Sequence, residues 1–234
     1  MTDSRSFYDG YVERQLSAGI NERHHAIMRW LRRAGLKQDH RVLEIGSGVG
    51  TLTQLLAEAV APSGSVTGLD LSPRSIDAAR ARLKGVRNVT LTAIDVFEAK
   101  IDETFDVIVL PDVIEHVPLE RHAALFAAVG RWVRPQGFVL LNYPNPHYRQ
   151  WCREHRTELL QAIDQPIQAD VLLSNVPGHL YLDFYETYSI WIREGDYVVA
   201  VLRPVAGVGD FTSLPGSRPS LSRRAAQRIN RVLR

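Results

Sequence analysis

Two groups of residues in this chain have the types and spacing that chemistry requires. The first is Glu44-Ile-Gly46-Ser47-Gly48-Val-Gly50, with Asp70 twenty positions after Gly50 and Asp95 beyond it. Glycines lack the Cβ that would hold a ligand away, so backbone N–H groups can come close to one. A carboxylate at Asp70 can accept both hydroxyls of a ribose, and a side-chain oxygen at Asp95 can accept from an amino group on a base. The second group is Asp112-Val-Ile-Glu115-His116, two carboxylates and an imidazole within five residues. An imidazole titrates near neutrality, which makes His116 the natural general base. The same three residues also form a mixed oxygen and nitrogen donor set for a divalent cation. His116 could equally close its own loop through a hydrogen bond.

These residues need a scaffold, and the patterning supplies one. Short apolar runs at 41–45, 65–69, 89–94, 105–110 and 137–142 read as strands, and helical patterns at 51–60, 73–84 and 119–133 lie between them. Strands alternating with helices of that length imply right-handed crossovers and a parallel sheet. Glu44 falls in the first strand, and the glycine turn follows it. Asp70 and Asp95 end strands two and three, and Pro111 and Asp112 follow strand four. In an open parallel sheet the ligand lies beyond these carboxyl ends.

A helix is expected over 20–35, stopped by Gly35, within an N-terminal helical lid at 1–36. The core then runs over 37–205. Tyr188–Arg193 and Asp196–Arg203 flank Glu194-Gly195 as an antiparallel hairpin. Residues 143–187 are too long for an ordinary connection and are expected to build a lid over the reactants. Two prolines stiffen Asn142-Tyr143-Pro-Asn145-Pro-His147, so Tyr143 and His147 are either aimed at the reacting group or packed in a rigid turn. The aromatics and histidines of this lid, among them Tyr148, Trp151, His155 and His179, would suit a hydroxylated, sugar-like molecule.

Composition bounds the reading. With 234 residues, 45% hydrophobic and 23% charged, the chain is of ordinary globular type. A single cysteine, Cys152, allows no internal disulfide. No apolar run approaches the roughly 20 residues that span a bilayer, and the N-terminus lacks the pattern of a secretory signal. A cytoplasmic location is therefore expected. The net charge of +2 is uneven, because residues 218–234 hold six arginines and no acid. The segment 206–234 reads as a basic tail, either solvated or docked on an anionic partner or membrane. The slightly acidic remainder disfavours nucleic acid.

The motifs Val42-Leu-Glu-Ile-Gly-Ser-Gly-Val-Gly, Gly68-Leu-Asp-Leu-Ser-Pro, Ala93-Ile-Asp-Val and Phe105-Asp-Val-Ile-Val-Leu-Pro-Asp-Val-Ile-Glu-His-Val together resemble the class I S-adenosylmethionine-dependent methyltransferases over about residues 38–142. A dinucleotide dehydrogenase, the competing reading of a glycine turn followed by an acid, would space its third glycine one residue later. The resemblance implies a Rossmann-like, seven-stranded, mostly parallel α/β sheet with an antiparallel last strand. It implies S-adenosyl-L-methionine as cofactor, with Glu44, Gly46, Ser47, Gly48 and Gly50 at the methionine portion. Asp70 and Leu71 would then take the ribose, Asp95 and Val96 the adenine, and Pro111 would border the site. Tyr8 and Tyr11 would cover the methionine carboxylate and Arg23 would pair with it, unless Arg23 and His24 only decorate a solvated helix face.

Asp112-x-x-Glu115-His116 further resembles the acid-x-x-Glu-His motif of small-RNA 2′-O-methyltransferases and ubiquinone-pathway O-methyltransferases, which use Mg²⁺ or a similar ion. By that resemblance Asp112, Glu115 and His116 would ligate the metal, with His179 or Asp183 from downstream. The expected reaction is O-methylation of a small-molecule acceptor by a monomer or homodimer, with His116 as base or ligand and Tyr143 and His147 beside the acceptor. RNA or peptide methylation is the alternative enzyme, and a non-catalytic cofactor-binding scaffold the alternative of another kind.

Overall fold

Val42-Leu-Glu-Ile45 carries large apolar groups on both faces, so it is satisfied only between two layers of helices. The computed structural model describes residues 4–161 and 163–207. Two helices, α1 (Ser4–Ala18) and α2 (Glu22–Ala34), precede the first strand, β1 (Arg41–Ile45). There follow α3 (Thr51–Val60), β2 (Ser65–Asp70), α4 (Pro73–Arg82), β3 (Val89–Ala93) and β4 (Phe105–Pro111). The second half comprises α5 (His122–Trp132), β5 (Val133–Pro144), α6 (Pro146–His155), α7 (Ala169–Ser174), β6 (Leu180–Tyr188) and β7 (Tyr197–Pro204).

The seven strands pair in the order β3-β2-β1-β4-β5-β7-β6. Strands β1 to β5 are mutually parallel, and β7 runs antiparallel to both β5 and β6. This is the Rossmann-like architecture that the sequence leads one to expect. The order reverses between β1 and β4, where loops leave the sheet in opposite directions and open a crevice. Alternation along the strands divides the core. Leu43, Ile108 and Leu110 pack with Leu125, Phe126 and Val129 of α5, while Val42, Val107 and Val109 pack with Ile27, Leu31 and Leu56 of α2 and α3.

The hairpin differs from the expectation. Residues 189–196 are its loop rather than strand, and β6 lies earlier, at Leu180–Tyr188. The reason is Asp196, fully buried, whose carboxylate accepts the backbone N–H of Ile190 at 2.7 Å and of Trp191 at 2.9 Å. Those N–H groups are thereby taken from any sheet ladder. The edge strand β6 also carries a register shift between Leu182 and Phe184, which breaks the alternation that would have marked it. With β5 reaching Pro144 and β6 starting at Leu180, the insertion shrinks to 145–179.

Candidate active site

A cavity of about 710 Å³ lies at the switch point, bordered by the glycine turn, the ends of β2, β3 and β4, α1, α2 and the β6–β7 loop. On its β1 side the turn has a clear steric logic. Gly46 has φ 80°, and a Cβ there would come within 2.5 Å of Val113 Cγ2 in the loop after β4. Gly50 has φ 79°, and its Cβ would press on Ala79 of α4 at 3.0 Å. The glycines therefore let three segments converge. Their N–H groups are not presented to a ligand as the sequence reading proposed. Gly46 and Ser47 both donate to the Leu69 carbonyl at 2.8 and 2.9 Å, Gly48 donates to Asp70 Oδ2 at 2.8 Å, and Gly50 donates to the Ser47 carbonyl at 3.0 Å. The turn makes room; it spends these donors on holding its own shape.

The acids behave differently from one another. Glu44 is buried at the floor of the cavity and accepts the Thr53 hydroxyl at 2.6 Å. Burial pushes its pKa up to about 8, against the lowering effect of that hydrogen bond. Asp70 accepts the Gly48 N–H on Oδ2 and the Ser72 N–H on Oδ1 at 2.9 Å, and its side chain borders the cavity. Asp95 accepts the Phe97 N–H at 3.0 Å and lies 3.6 Å from Arg121, whose guanidinium stacks 3.5 Å above the Phe97 ring. Leu71, Val96 and Pro111 also line the cavity, as expected. Ser47 Oγ is buried without a hydrogen-bond partner. An orphan hydroxyl, a strand-end carboxylate at the cavity wall and an apolar slot beside Asp95 fit a nucleoside carrying a polar tail.

Arg23 and His24 are not on a solvated face; both line the cavity. Asn21 caps α2, donating its N–H to His24 Nδ1 at 3.1 Å, so His24 Nε2 carries the proton toward Thr51 Oγ1 at 2.9 Å. Arg23 donates through Nη1 to Asp112 Oδ2, an ion pair joining α2 to the loop after β4. Burial opposes the guanidinium charge, yet Asp112 and then Tyr197 raise its pKa further above the ordinary value. Asp112 has φ 51°, a left-handed conformation rare outside glycine, and its N–H is tied to the Asn142 carbonyl at 2.7 Å. Its Oδ1 is buried with no partner.

His116 reaches the cavity from the 3-10 turn Ile114–His116. Its Nδ1 lies 2.6 Å from the Ile163 carbonyl, which fixes the proton on Nδ1 and leaves Nε2 as the basic nitrogen. Burial lowers its pKa, against the raising effects of Asp164 and the Ile163 carbonyl, so the ring is neutral near pH 7. Glu115 is buried behind it, Oε1 3.7 Å from His116 Nε2, and does not border the cavity. Burial and then the Asp112 charge hold its carboxyl well above the usual range.

Several expected site residues lie elsewhere. Tyr143 is wholly buried in the core with its hydroxyl 3.5 Å from that of Tyr185, because alternation along β5 turns it toward the α5 layer. His147 is exposed in the first turn of α6, held by its own N–H to the Asn145 cap. Tyr148, Trp151 and His155 stack along α6 and do not border the cavity. His179 lies exposed over Gly130 of α5. The expected metal ligands are thus not assembled: Asp112 is matched by Arg23, Glu115 is turned into the core, and His179 sits against another layer. Among the described residues no group of three or more His, Cys, Asp or Glu is arranged to hold a metal. The side chains of Tyr8 and Tyr11, and the basic tail from 208 onward, lie outside the described residues. In their place the structure adds Phe97, Arg121, Gln161, Trp191 and Tyr197 to the cavity wall. Only the Asp95-Val-Phe97 run offered a sequence signal for any of these.

Comparison with known proteins agrees with this geometry. Residues 42–137 match a family model described as a methyltransferase domain. A ubiquinone biosynthesis O-methyltransferase of Thiobacillus denitrificans is 33% identical over 129 residues, 53% of either chain. A phosphoethanolamine N-methyltransferase of Plasmodium falciparum is 27% identical over 128 residues, 54% of this chain and 47% of the relative. The chain thus spans about half the length of the curated relatives it matches. Among solved structures, the fold is shared with the DhpI–SAH complex, at TM-score 0.62 and 21% identity, covering 86% of this chain and 95% of that one. It is likewise shared with the N-methyltransferase NodS of Bradyrhizobium japonicum WM9 in complex with S-adenosyl-L-homocysteine, at TM-score 0.61 and 21% identity, covering 79% and 86%. Residues 42–137 are thus similar to a methyltransferase domain, and the sheet they help build has the fold of solved methyltransferases bound to S-adenosyl-L-homocysteine.

Proposed function

We propose that this protein transfers the methyl group of S-adenosylmethionine to a hydroxyl oxygen of a small acceptor, with His116 receiving the hydroxyl proton. The observation that carries the reading is the His116 ring, neutral and oriented by the Ile163 carbonyl, at the cavity wall beside Asp112 and Pro111. Glu44, Ser47 and Asp70 would hold the methionine and ribose portions, and Asp95 with Val96 and Phe97 would flank the adenine. When bound, the cofactor would supply an electrophilic sulfonium methyl for transfer to the acceptor oxygen. A sulfonium is already a strong electrophile, so positioning does much of the work. A hydroxyl additionally needs a base, and positioned proton transfer contributes roughly 10²–10⁴-fold.

A cavity of about 710 Å³ is of the size that small-molecule sites take, roughly 300–1,000 Å³. The curated relatives include an O-methyltransferase and an N-methyltransferase, so the atom methylated is the point to test. Labelled S-adenosylmethionine should be offered with a panel of phenols, polyols and amines, and the product located by mass spectrometry. His116→Gln should lower transfer to a hydroxyl by about 10²-fold or more while S-adenosylhomocysteine binds within about twofold of wild type. Label found only on nitrogen, or full transfer by His116→Gln, refutes the reading.

A further inference from the structure

The cavity wall contains, in the β6–β7 loop, a large side chain left mostly in the open. Trp191 is 60% exposed, yet it borders the cavity. An indole at a cavity wall offers a flat π face on which another ring can stack. Its position is not a loose one. The fully buried Asp196 carboxylate pins the N–H of both Ile190 and Trp191, Asn145 Nδ2 donates to the Gly195 carbonyl at 3.0 Å, and Asn145 N–H donates to the Asp196 carbonyl at 2.8 Å. The loop is thus tied to its own strand and to the start of α6. Two other residues bordering the cavity carry buried acceptor atoms without partners, Asp112 Oδ1 and Gln161 Oε1. A buried acceptor left unsatisfied is destabilising, and a ligand with matching donors would recover that loss.

We infer that the 189–196 loop is an acceptor-selecting element, in which the Trp191 indole stacks on a flat, unsaturated ring whose hydrogen-bond donors reach Asp112 Oδ1 and Gln161 Oε1. The inference rests on the proposed transfer reaction for its site and adds the class of acceptor, a planar ring carrying polar donors. Sequence reasoning from the aromatic insertion favoured a sugar-like acceptor, but those aromatics do not border the cavity. Trp191 does, and a stacked flat ring gains more from an indole face than a puckered ring of equal size.

The test is equilibrium binding to the full chain loaded with S-adenosylhomocysteine, by calorimetry or ligand-observed NMR. Catechol and cis-cyclohexane-1,2-diol serve as probes because they match in size and in donor number. Catechol should bind roughly three- to tenfold more tightly, the range that an aromatic pair contributes. Trp191→Ala should erase that preference, and Trp191→Phe should restore most of it. Asp196→Asn, which leaves the indole in place but loosens its loop, should also reduce it. Equal binding of the two probes, a preference that survives Trp191→Ala, or no catechol binding at millimolar concentration overturns the inference. Its failure is separable from that of the reaction. If 1,2-diaminobenzene shows the same Trp191-dependent preference and takes the label on nitrogen, the loop's role stands and the oxygen-transfer reading falls.

Discussion

The two walls of the cavity are built by different means. On the β1–β3 side the polar groups sit in or just after strand ends, and their partners lie within two residues or on the adjacent strand unit: Ser72 to Asp70, Phe97 to Asp95, and Gly48 to Asp70 across β1 and β2. On the β4 side the partners are far apart along the chain. Arg23 meets Asp112, Asp112 meets Asn142, His116 meets Ile163, and Tyr188 donates to Asn142. The first wall is a property of strand termini and turns, and so repeats wherever that strand-turn-helix sequence occurs. The second exists only once α2, the insertion and the hairpin have docked. The first wall is set by neighbouring strand ends, and the second by long-range docking.

The contrast can be broken at its strongest point first. Gly46→Val adds a Cβ 2.5 Å from Val113 at φ 80°. The conformation costs about 1–2 kcal/mol and the overlap about 1–3 kcal/mol more. Calorimetry should show S-adenosylhomocysteine affinity falling by about 30-fold or more, because this contact is where the two walls meet. Affinity within threefold of wild type would mean that the walls are not sterically linked.

A double-mutant cycle with Arg23→Ala and Asp112→Ala comes next. Because Asp112 is nearly buried, the thermodynamic coupling should reach about 1–3 kcal/mol in denaturant unfolding. The exposed pair Arg33–Glu186 should couple by less than about 1 kcal/mol. Equal couplings would remove the distinction between a built wall and a surface ion pair.

Glu44 gives a pH test of the first wall. Its folded-state pKa of about 8 lies above the ordinary 4.5, so the folded chain retains a proton that the unfolded chain releases. That contribution is complete below about pH 4.5 and is lost as pH rises toward 8, with a slope of at most about 1.4 kcal/mol per pH unit. Stability of Glu44→Gln measured across pH 5–8 should lack this component, leaving it more stable relative to wild type at pH 8 than at pH 5. A parallel pair of curves would refute the assignment.

The smallest effects are expected from residues that sequence position placed at the site and the fold did not. Tyr143→Phe removes one long hydrogen bond in the core and should cost about 1 kcal/mol or less in unfolding free energy. His147→Ala changes an exposed helix position. Neither should alter label transfer by more than about twofold. A tenfold loss in either would restore them to the reactive region.

These cases explain how much was legible in advance. The parallel sheet, the glycine turn and the acids at three consecutive strand ends follow from local periodicity and turn chemistry, which act over a few residues. The Tyr143 error came from reading proximity to a strand end as access to the cavity, when a one-residue step along β5 reverses the face. The hairpin error came from taking Glu194-Gly195 as a tight turn, when a buried Asp196 captures the N–H groups a ladder would need. The metal set failed because spacing within five residues does not say which side chains turn inward. His116 at the wall was legible; its fixed tautomer was not, since the Ile163 carbonyl lies 47 positions away.

By itself, the sequence determined that this chain builds a parallel sheet with a crevice at the β1–β4 reversal, because backbone hydrogen bonding and glycine sterics leave few other uses for those motifs. Tertiary structure alone decided that Arg23 neutralises Asp112, that Glu115 turns inward, and that Trp191 stands at the cavity mouth. Those outcomes depend on long-range packing and on which buried charges find partners. Neither is encoded in the spacing of neighbouring residues.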